Sequence, residues 1–221
     1  MAGARLRDWS VGPAVIATFA DYVGLALLVP SVPFYLSELG MTDEEVPVWN
    51  GVITTAQFAA VVVGNTVWGR VSDRTSSKLA LQAAMVGDTV FFALSAVAPF
   101  GLRGAPAAGV VLALVRFCAG FFTPLVSSLL FIFDRVSSPQ ELQRGLGHFN
   151  LAVISAYGVG GMIVAVLYEP LGWGALNAIS AALAGVGLAY VTFGTTPPTS
   201  KSSAKPEGVL RALRTADFAT N

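Results

Sequence analysis

Long apolar runs separated by short polar stretches recur along the chain, and none alternates with the period of two that a half-buried strand requires. Six runs are long enough to cross about 30 Å of hydrocarbon as helices. They cover residues 11–36, 47–68, 79–100, 107–133, 145–167 and 173–193. Because they are continuous, they exclude a transmembrane β-barrel. After Phe193 the chain turns to Thr-Thr-Pro-Pro-Thr-Ser-Lys-Ser-Ser-Ala-Lys-Pro, too polar to bury and too interrupted by proline to be regular. The pattern predicts an all-α membrane protein, with a bundle of six transmembrane helices over 1–194 and a cytoplasmic linker over 195–221. Within the linker, 207–218 has the spacing of a short surface helix, with Val209, Leu210 and Leu213 on one side.

Composition agrees. The 221 residues are 54% hydrophobic and 12% charged, too little polar surface to cover a soluble globule. Formal net charge is zero, and the basic residues lie in separate loops with no aromatic-interleaved stripe, so nucleic acid is not an expected partner. The single cysteine, Cys118, excludes an intramolecular disulfide. The first apolar run is too long for a signal-peptide core and lacks an obvious small-residue cleavage site, so it is read as a retained span.

The connectors set the orientation. Six spans put both termini on one side, and Arg5, Arg7, Arg70, Arg74, Lys78, Arg135, Arg144, Lys201 and Lys205 flank the spans on that side, against Arg103 alone opposite. Excess basic residues mark the cytoplasmic face, so both termini are expected there. The acidic first outer loop, with Glu38, Asp43, Glu44 and Glu45, contributes little to orientation. The stretch 69–78, Gly-Arg-Val-Ser-Asp-Arg-Thr-Ser-Ser-Lys, reads as a short, charged, turn-rich connector in water, since hydrocarbon would not accept four such charges together.

Three ionisable residues fall inside spans: Asp21, Asp88 and Arg116. At ~1.5 Å rise per residue each lies on the order of 13 to 15 Å from the start of its span, near the bilayer centre. That depth makes them functional candidates. Asp21 and Arg116, opposite in charge and similar in depth, would relieve one another's desolvation by pairing. Either they fix helix rotation, or Asp21 exchanges protons or meets a cationic solute while Arg116 tunes it. Asp88 has no evident partner: a water path, a protonated acid beside a hydroxyl and a local idiosyncrasy all fit it. Gln57 and Asn65 are amides that need partners, across helices or in a cavity. Ala60 and Gly64, four apart, offer a face for close helix approach. His148, near the cytoplasmic start of the fifth span, is read as solvated or interfacial in preference to a proton relay. No His-Glu-x-x-His or Gly-x-Ser-x-Gly pattern occurs, so an enzyme is not expected and neither metal nor cofactor is implied.

Several of these stretches resemble one family. Gly69, Asp73, Arg74 and Lys78 match the signature between the second and third helices of major facilitator transporters, with Ser76 and Ser77 standing where that signature has a glycine and a basic residue. Asp21 followed by Gly24, Pro30 and Pro33 resembles the first helix of the twelve-span drug/proton antiporter type. Leu112, Arg116, Ala119 and Gly120 resemble its fourth-helix motif, whose arginine is implicated in proton coupling. The run Ala156-Tyr157-Gly158-Val159-Gly160-Gly161 resembles its glycine-rich fifth-helix motif with Tyr157 in place of the proline. Leu171-Gly172-Trp173 resembles the outer turn before helix six.

The resemblance implies an N-terminal half of that fold, six helices as a 3+3 inverted repeat, ending within the linker between halves. It implies proton-coupled transport of a small organic solute by alternating access against a second six-helix half, from the same or another chain. Asp21, Arg116 and Gln57 would form the coupling and substrate site. Gly69, Asp73, Arg74 and Lys78, with Asp134 and Arg144 of the next cytoplasmic connector, would form a cytoplasmic gate, Asp73 and Arg74 engaging the second cluster when the cavity is closed to the cytoplasm. Gly120, Gly158, Gly160 and Gly161 would serve helix packing and flexing. The expected partners are the lipid bilayer, a small solute, protons and the second half. A half-bundle that binds a membrane partner without transporting is the alternative.

Overall fold

The computed structural model describes residues 11–98, 102 and 106–195. Its elements are helices: α1 (Gly12–Leu28), α2 (Val32–Glu38), α3 (Glu45–Arg74), α4 (Ser77–Val97), α5 (Ala107–Phe122), α6 (Leu125–Phe133) and α7 (Pro139–Phe193). Local chemistry sets their starts. Pro13, Pro33 and Pro139 occupy first-turn positions where a missing N–H costs nothing. Ser76 and Ser138 accept the N–H groups of Leu79 and Glu141, both at 3.2 Å. Thr42 and Glu45 cap one another reciprocally at the entrance to α3.

By length and apolarity, Glu45–Arg74, Ser77–Val97, Ala107–Phe133 and Pro139–Phe193 can each cross a membrane, and α1 with α2, bent by 43°, adds a fifth candidate. α7, at 55 residues, would be ~80 Å long if straight, more than twice the hydrocarbon thickness. It is not straight. Gly172, at φ 69° and ψ −179°, adopts backbone angles that only glycine takes freely and divides α7 into arms 139–171 and 173–193. Both arms pack on α1, in opposite directions. Gly145 approaches Val11 and Gly160 approaches Ala26, whereas Ser180 meets Gly24 and Gly187 meets Ala17. The two arms therefore correspond to the expected fifth and sixth spans.

The remaining pairs are equally specific. α5 lies along α3 in the same direction, Gly109 against Trp49 and Gly120 against Gln57. The second arm of α7 runs antiparallel to α4, with Trp173 Nε1 donating to the Ser95 carbonyl at 2.8 Å and Gln82 donating to Thr192 Oγ1 at 3.1 Å. Large apolar side chains nevertheless crowd the outside: Val62, Ile154, Met162 and Val166 are each about 70% exposed. Such a surface is compatible with lipid or another bundle and not with water. The protein is an integral, multi-pass membrane protein.

Two expectations need correction. The connector 69–78 is mostly helix: α3 continues to Arg74, and only Thr75 and Ser76 separate it from α4. Charge marks where the membrane ends, not where the helix does, and nothing before Thr75 breaks the backbone pattern. The first span is not one rod, because α1 stops at Leu28 and the chain bends through Val29, Pro30 and Ser31. The fourth span keeps its expected bounds, 107–133, as one segment able to cross, with its helix briefly broken at Thr123 and Pro124 between α5 and α6. Arg5, Arg7, Arg103, Lys201, Lys205, the linker beyond Thr195 and the end of the third span lie outside the described residues.

Candidate functional site

Among the described residues, three charged side chains are buried in the bundle. Asp21 on α1 and Asp88 on α4 are 1% exposed, and Arg116 on α5 is fully enclosed. Helix register brings the two acids together. Met85 and Ala17 meet at Gly187, and Phe92 meets Gly24, so residues 88 and 21 fall at one level between these contacts. Their carboxyl groups are close enough to hydrogen-bond one another, and both lie in the field of Arg116. Two carboxylates cannot donate to each other, so that bond exists only with a proton on one of them. Arg116 lies close enough to feel both acids. The pair expected from the sequence is thus joined by a third group, Asp88, which the sequence left without a partner.

Buried polar groups are normally hydrogen-bonded. Here many are not: Asp21 Oδ2, Asp88 Oδ2, all three guanidinium nitrogens of Arg116, Thr18 Oγ1, Ser127 Oγ and Ser128 Oγ are buried without partners. Thr18 lies one turn from Asp21, and α6, which carries the two serines, packs against α1 and α4. This interior is chemically suited to protons and water.

Tyr22 and Tyr157 connect the triad to the surface. Their rings meet edge to face at 5.7 Å, both phenols lie in the field of Asp21, and Tyr157 is 45% exposed. Tyrosine is usual at membrane interfaces, not at mid-depth in lipid. Gln57 is buried on α3, its backbone carbonyl against Gly120, one helical turn from Arg116. Gly160 and Gly120 sit at close helix contacts, while Gly158 and Gly161 have nothing within 4 Å of an added β-carbon.

At the end of the bundle where α3 meets α4, Asp73 and Arg74 are exposed, as are Asp134 and Arg144 at the next connector, and Gly69 is half-buried. Lys78 reaches elsewhere, donating to the Thr192 carbonyl at 3.3 Å. Arg135 lies 3.8 Å over the Phe131 ring, and partial burial pushes its guanidinium below the usual arginine range. Glu141 accepts the Ser137 N–H at 2.7 Å as part of the α7 cap. Exposed His148 borders an apolar cavity of about 430 Å³ between α1 and the first arm of α7. Among the described residues no cluster of histidine, cysteine and carboxylates suits a metal ion.

Comparison with known proteins places these features in context. The family model for the Major Facilitator Superfamily matches residues 14–219. The staphyloferrin B transporter of Staphylococcus aureus is 25% identical over 162 residues, covering 73% of this chain and 37% of the relative. Multidrug resistance protein MdtG of Proteus mirabilis is 29% identical over 93 residues, 41% of this chain and 23% of the relative. MdtG of Serratia proteamaculans is 24% identical over 166 residues, 74% and 37% respectively. The chain therefore spans well under half the length of these curated relatives. No solved structure matches it.

Proposed function

The chain belongs to the Major Facilitator Superfamily, and from that premise we propose that it serves secondary active transport of a small organic solute by alternating access, driven by protons. The observation that carries this reading is the set of ionisable groups enclosed at mid-depth, Asp21 and Arg116 with Asp88. Charges so deep in a membrane protein are costly and are retained where ions or substrates pass. Asp21 takes part in exchanging the proton, Arg116 holds its charge in balance, and Gln57 lies on the solute side. No sodium-site pattern competes.

The helix pairings support a 3+3 inverted repeat. Exchanging the first three spans with the last three turns the pairing of the first and fifth into that of the fourth and second, and returns the third with the sixth to itself. All three pairs are among the contacts above. Alternating access requires a second six-helix bundle to move against, supplied by the same or another chain. Both termini face the cytoplasm, and the charged ends at Gly69, Asp73, Arg74 and Lys78, with Asp134 and Arg144, form the cytoplasmic gate. The family match and the transporter relatives do not favour a non-transporting half-bundle.

The test uses proteoliposomes carrying the chain, alone and with a C-terminal six-span half, loaded with a pH-sensitive dye and given a pH gradient. A panel of organic cations, anions and zwitterions is supplied in turn. Solute-dependent collapse of the gradient is expected, abolished by Asp21→Asn at unchanged expression. Equal collapse in Asp21→Asn removes Asp21 from the mechanism, and no solute-dependent proton movement in either format sinks the proton-coupled reading.

A further inference from the structure

A charge inventory of the interior does not close when every group is ionised. Two carboxylates face one guanidinium, which leaves a net negative charge where neither water nor lipid headgroup reaches it. Desolvating an uncompensated charge costs several kcal/mol in a real protein interior. One added proton brings the inventory to zero. The register of α1 and α4 says where it sits: it brings two buried carboxyls to one level beside one another, and they can share a hydrogen bond only when one of them is protonated. Arg116, with no hydrogen-bond partner at any of its three nitrogens, supplies the positive charge that keeps the other carboxyl ionised.

We propose that Asp21 and Asp88 form one proton-binding site, a carboxyl pair that holds a single proton between them with Arg116 as its counter-ion. Among the described residues, the titratable groups around the pair, Asp21 on α1 and Asp88 on α4, are Arg116 on α5 and the phenols of Tyr22 on α1 and Tyr157 on the first arm of α7. When the proton leaves, an O–H bond breaks, the proton passes to water, and two carboxylates remain against one guanidinium. That state is stable only once water enters or another positive charge arrives beside the pair. Thr18, Ser127 and Ser128 offer buried hydroxyls without partners to such water. Asp88 is therefore as necessary as Asp21 to proton binding. Its consequence for transport rests on the proton-coupled reading above, but the existence of the pair does not.

Infrared spectroscopy of the full chain in lipid nanodiscs, titrated in H₂O and D₂O, tests the pair without requiring transport. The expected result is the carbonyl stretch of one protonated carboxylic acid, sensitive to deuterium, at neutral pH. Asp21→Asn and Asp88→Asn should each abolish it, because the remaining carboxylate is then matched by Arg116 alone. Asp88→Glu should restore it at a shifted titration midpoint, which also guards against an asparagine variant that fails to fold. Persistence of the band in either asparagine variant assigns the proton to one residue and overturns the pair. Two bands, or none, in the unsubstituted protein overturn it as well. A band that behaves as expected in a protein without proton-driven flux would sink the transport reading and leave the pair standing.

Discussion

The ring of Phe92 lies over Gly24, with two of its carbons 3.1 and 3.2 Å from the place a β-carbon on that glycine would occupy. Ser180 is as close on the other side, at 3.2 Å, so three helices converge on a residue without a side chain. This contact is one helical turn from Asp21 and Asp88 and holds α1 and α4 in register. Gly24→Val should separate the two helices, costing about 1–3 kcal/mol through overpacking. Because it also moves the acids apart, it should weaken the shared-proton band in infrared spectra. A lowered midpoint for heat-induced aggregation in detergent, with the band unchanged, would show that the register of the acids is set elsewhere.

Glycines that meet backbone should be far less replaceable than glycines that face outward. A β-carbon on Gly64 would collide with the Phe121 carbonyl, and one on Gly120 with the Gln57 carbonyl, whereas Gly158 has open space around it. Carbonyl groups inside helices cannot rotate away, so Gly64→Ala should push α3 from α5 and lower the midpoint of heat-induced aggregation by several degrees. Gly158→Ala should leave it unchanged or raise it slightly, since alanine is the better helix former. Equal midpoints for the two variants would contradict the packing of α3 on α5.

Trp173 joins two interactions in one buried side chain. Its ring stacks on Tyr35 at 4.5 Å, and its Nε1 donates to the Ser95 carbonyl. Trp173→Phe keeps an aromatic ring but leaves that carbonyl without its donor, a loss of about 1–3 kcal/mol. Thermal midpoints of Trp173→Phe and Tyr35→Leu, compared with the double variant, separate the stack from the hydrogen bond. Additive effects would mean that the two are independent.

Much of this was legible in the sequence. Apolar runs located the long helices able to cross a membrane, and Leu171-Gly172-Trp173 located the turn that divides α7. What the pattern left open was relative rotation. Asp21, Asp88 and Arg116 were each placed at similar depth, yet depth does not say which faces meet. That depends on Gly24 meeting Phe92 and Gly187 meeting Met85, contacts between residues far apart in sequence. Lys78 shows the same gap from the other direction: grouped with Asp73 and Arg74 by proximity along the chain, it bonds instead to the Thr192 carbonyl across the bundle. The break at Thr123 and Pro124 had a visible cause, the proline, but a single proline inside an apolar run permits a kink as readily as an interruption.

Asp73, Arg74, Asp134 and Arg144 are exposed at helix ends, so pairs among them should contribute only about 0–1 kcal/mol. Asp73→Lys should leave thermal stability nearly unchanged. On the gate proposed above, its effect should fall on the balance between inward-open and outward-open states, read from cysteine accessibility at the two ends of the bundle when a second half is present. The reversed pair, Asp73→Lys with Arg144→Asp, should return that balance to its original value. If the double reversal restores nothing, this pairing is not part of the gate.

Arg116 offers the sharpest separation between a counter-ion and a mere packing residue. Removing one partner from a buried charged set is worth about 3–5 kcal/mol of destabilisation, because the charge left behind has no water to return to. Arg116→Met nearly preserves the length of the side chain and deletes the charge, leaving Asp21 and Asp88 with no cation in the interior. It should therefore lower stability strongly at neutral pH. The loss should shrink as pH falls, since protonating both acids removes the charge that Arg116 had matched. Adding Asp88→Asn or Asp21→Asn to Arg116→Met should recover part of the stability, a non-additive result that independent sites do not give. Thermal midpoints of the single, double and triple variants across pH 5 to 8 provide the measurement. A loss in Arg116→Met that is independent of pH, and that neither asparagine relieves, would mean that the guanidinium supports the bundle by shape alone.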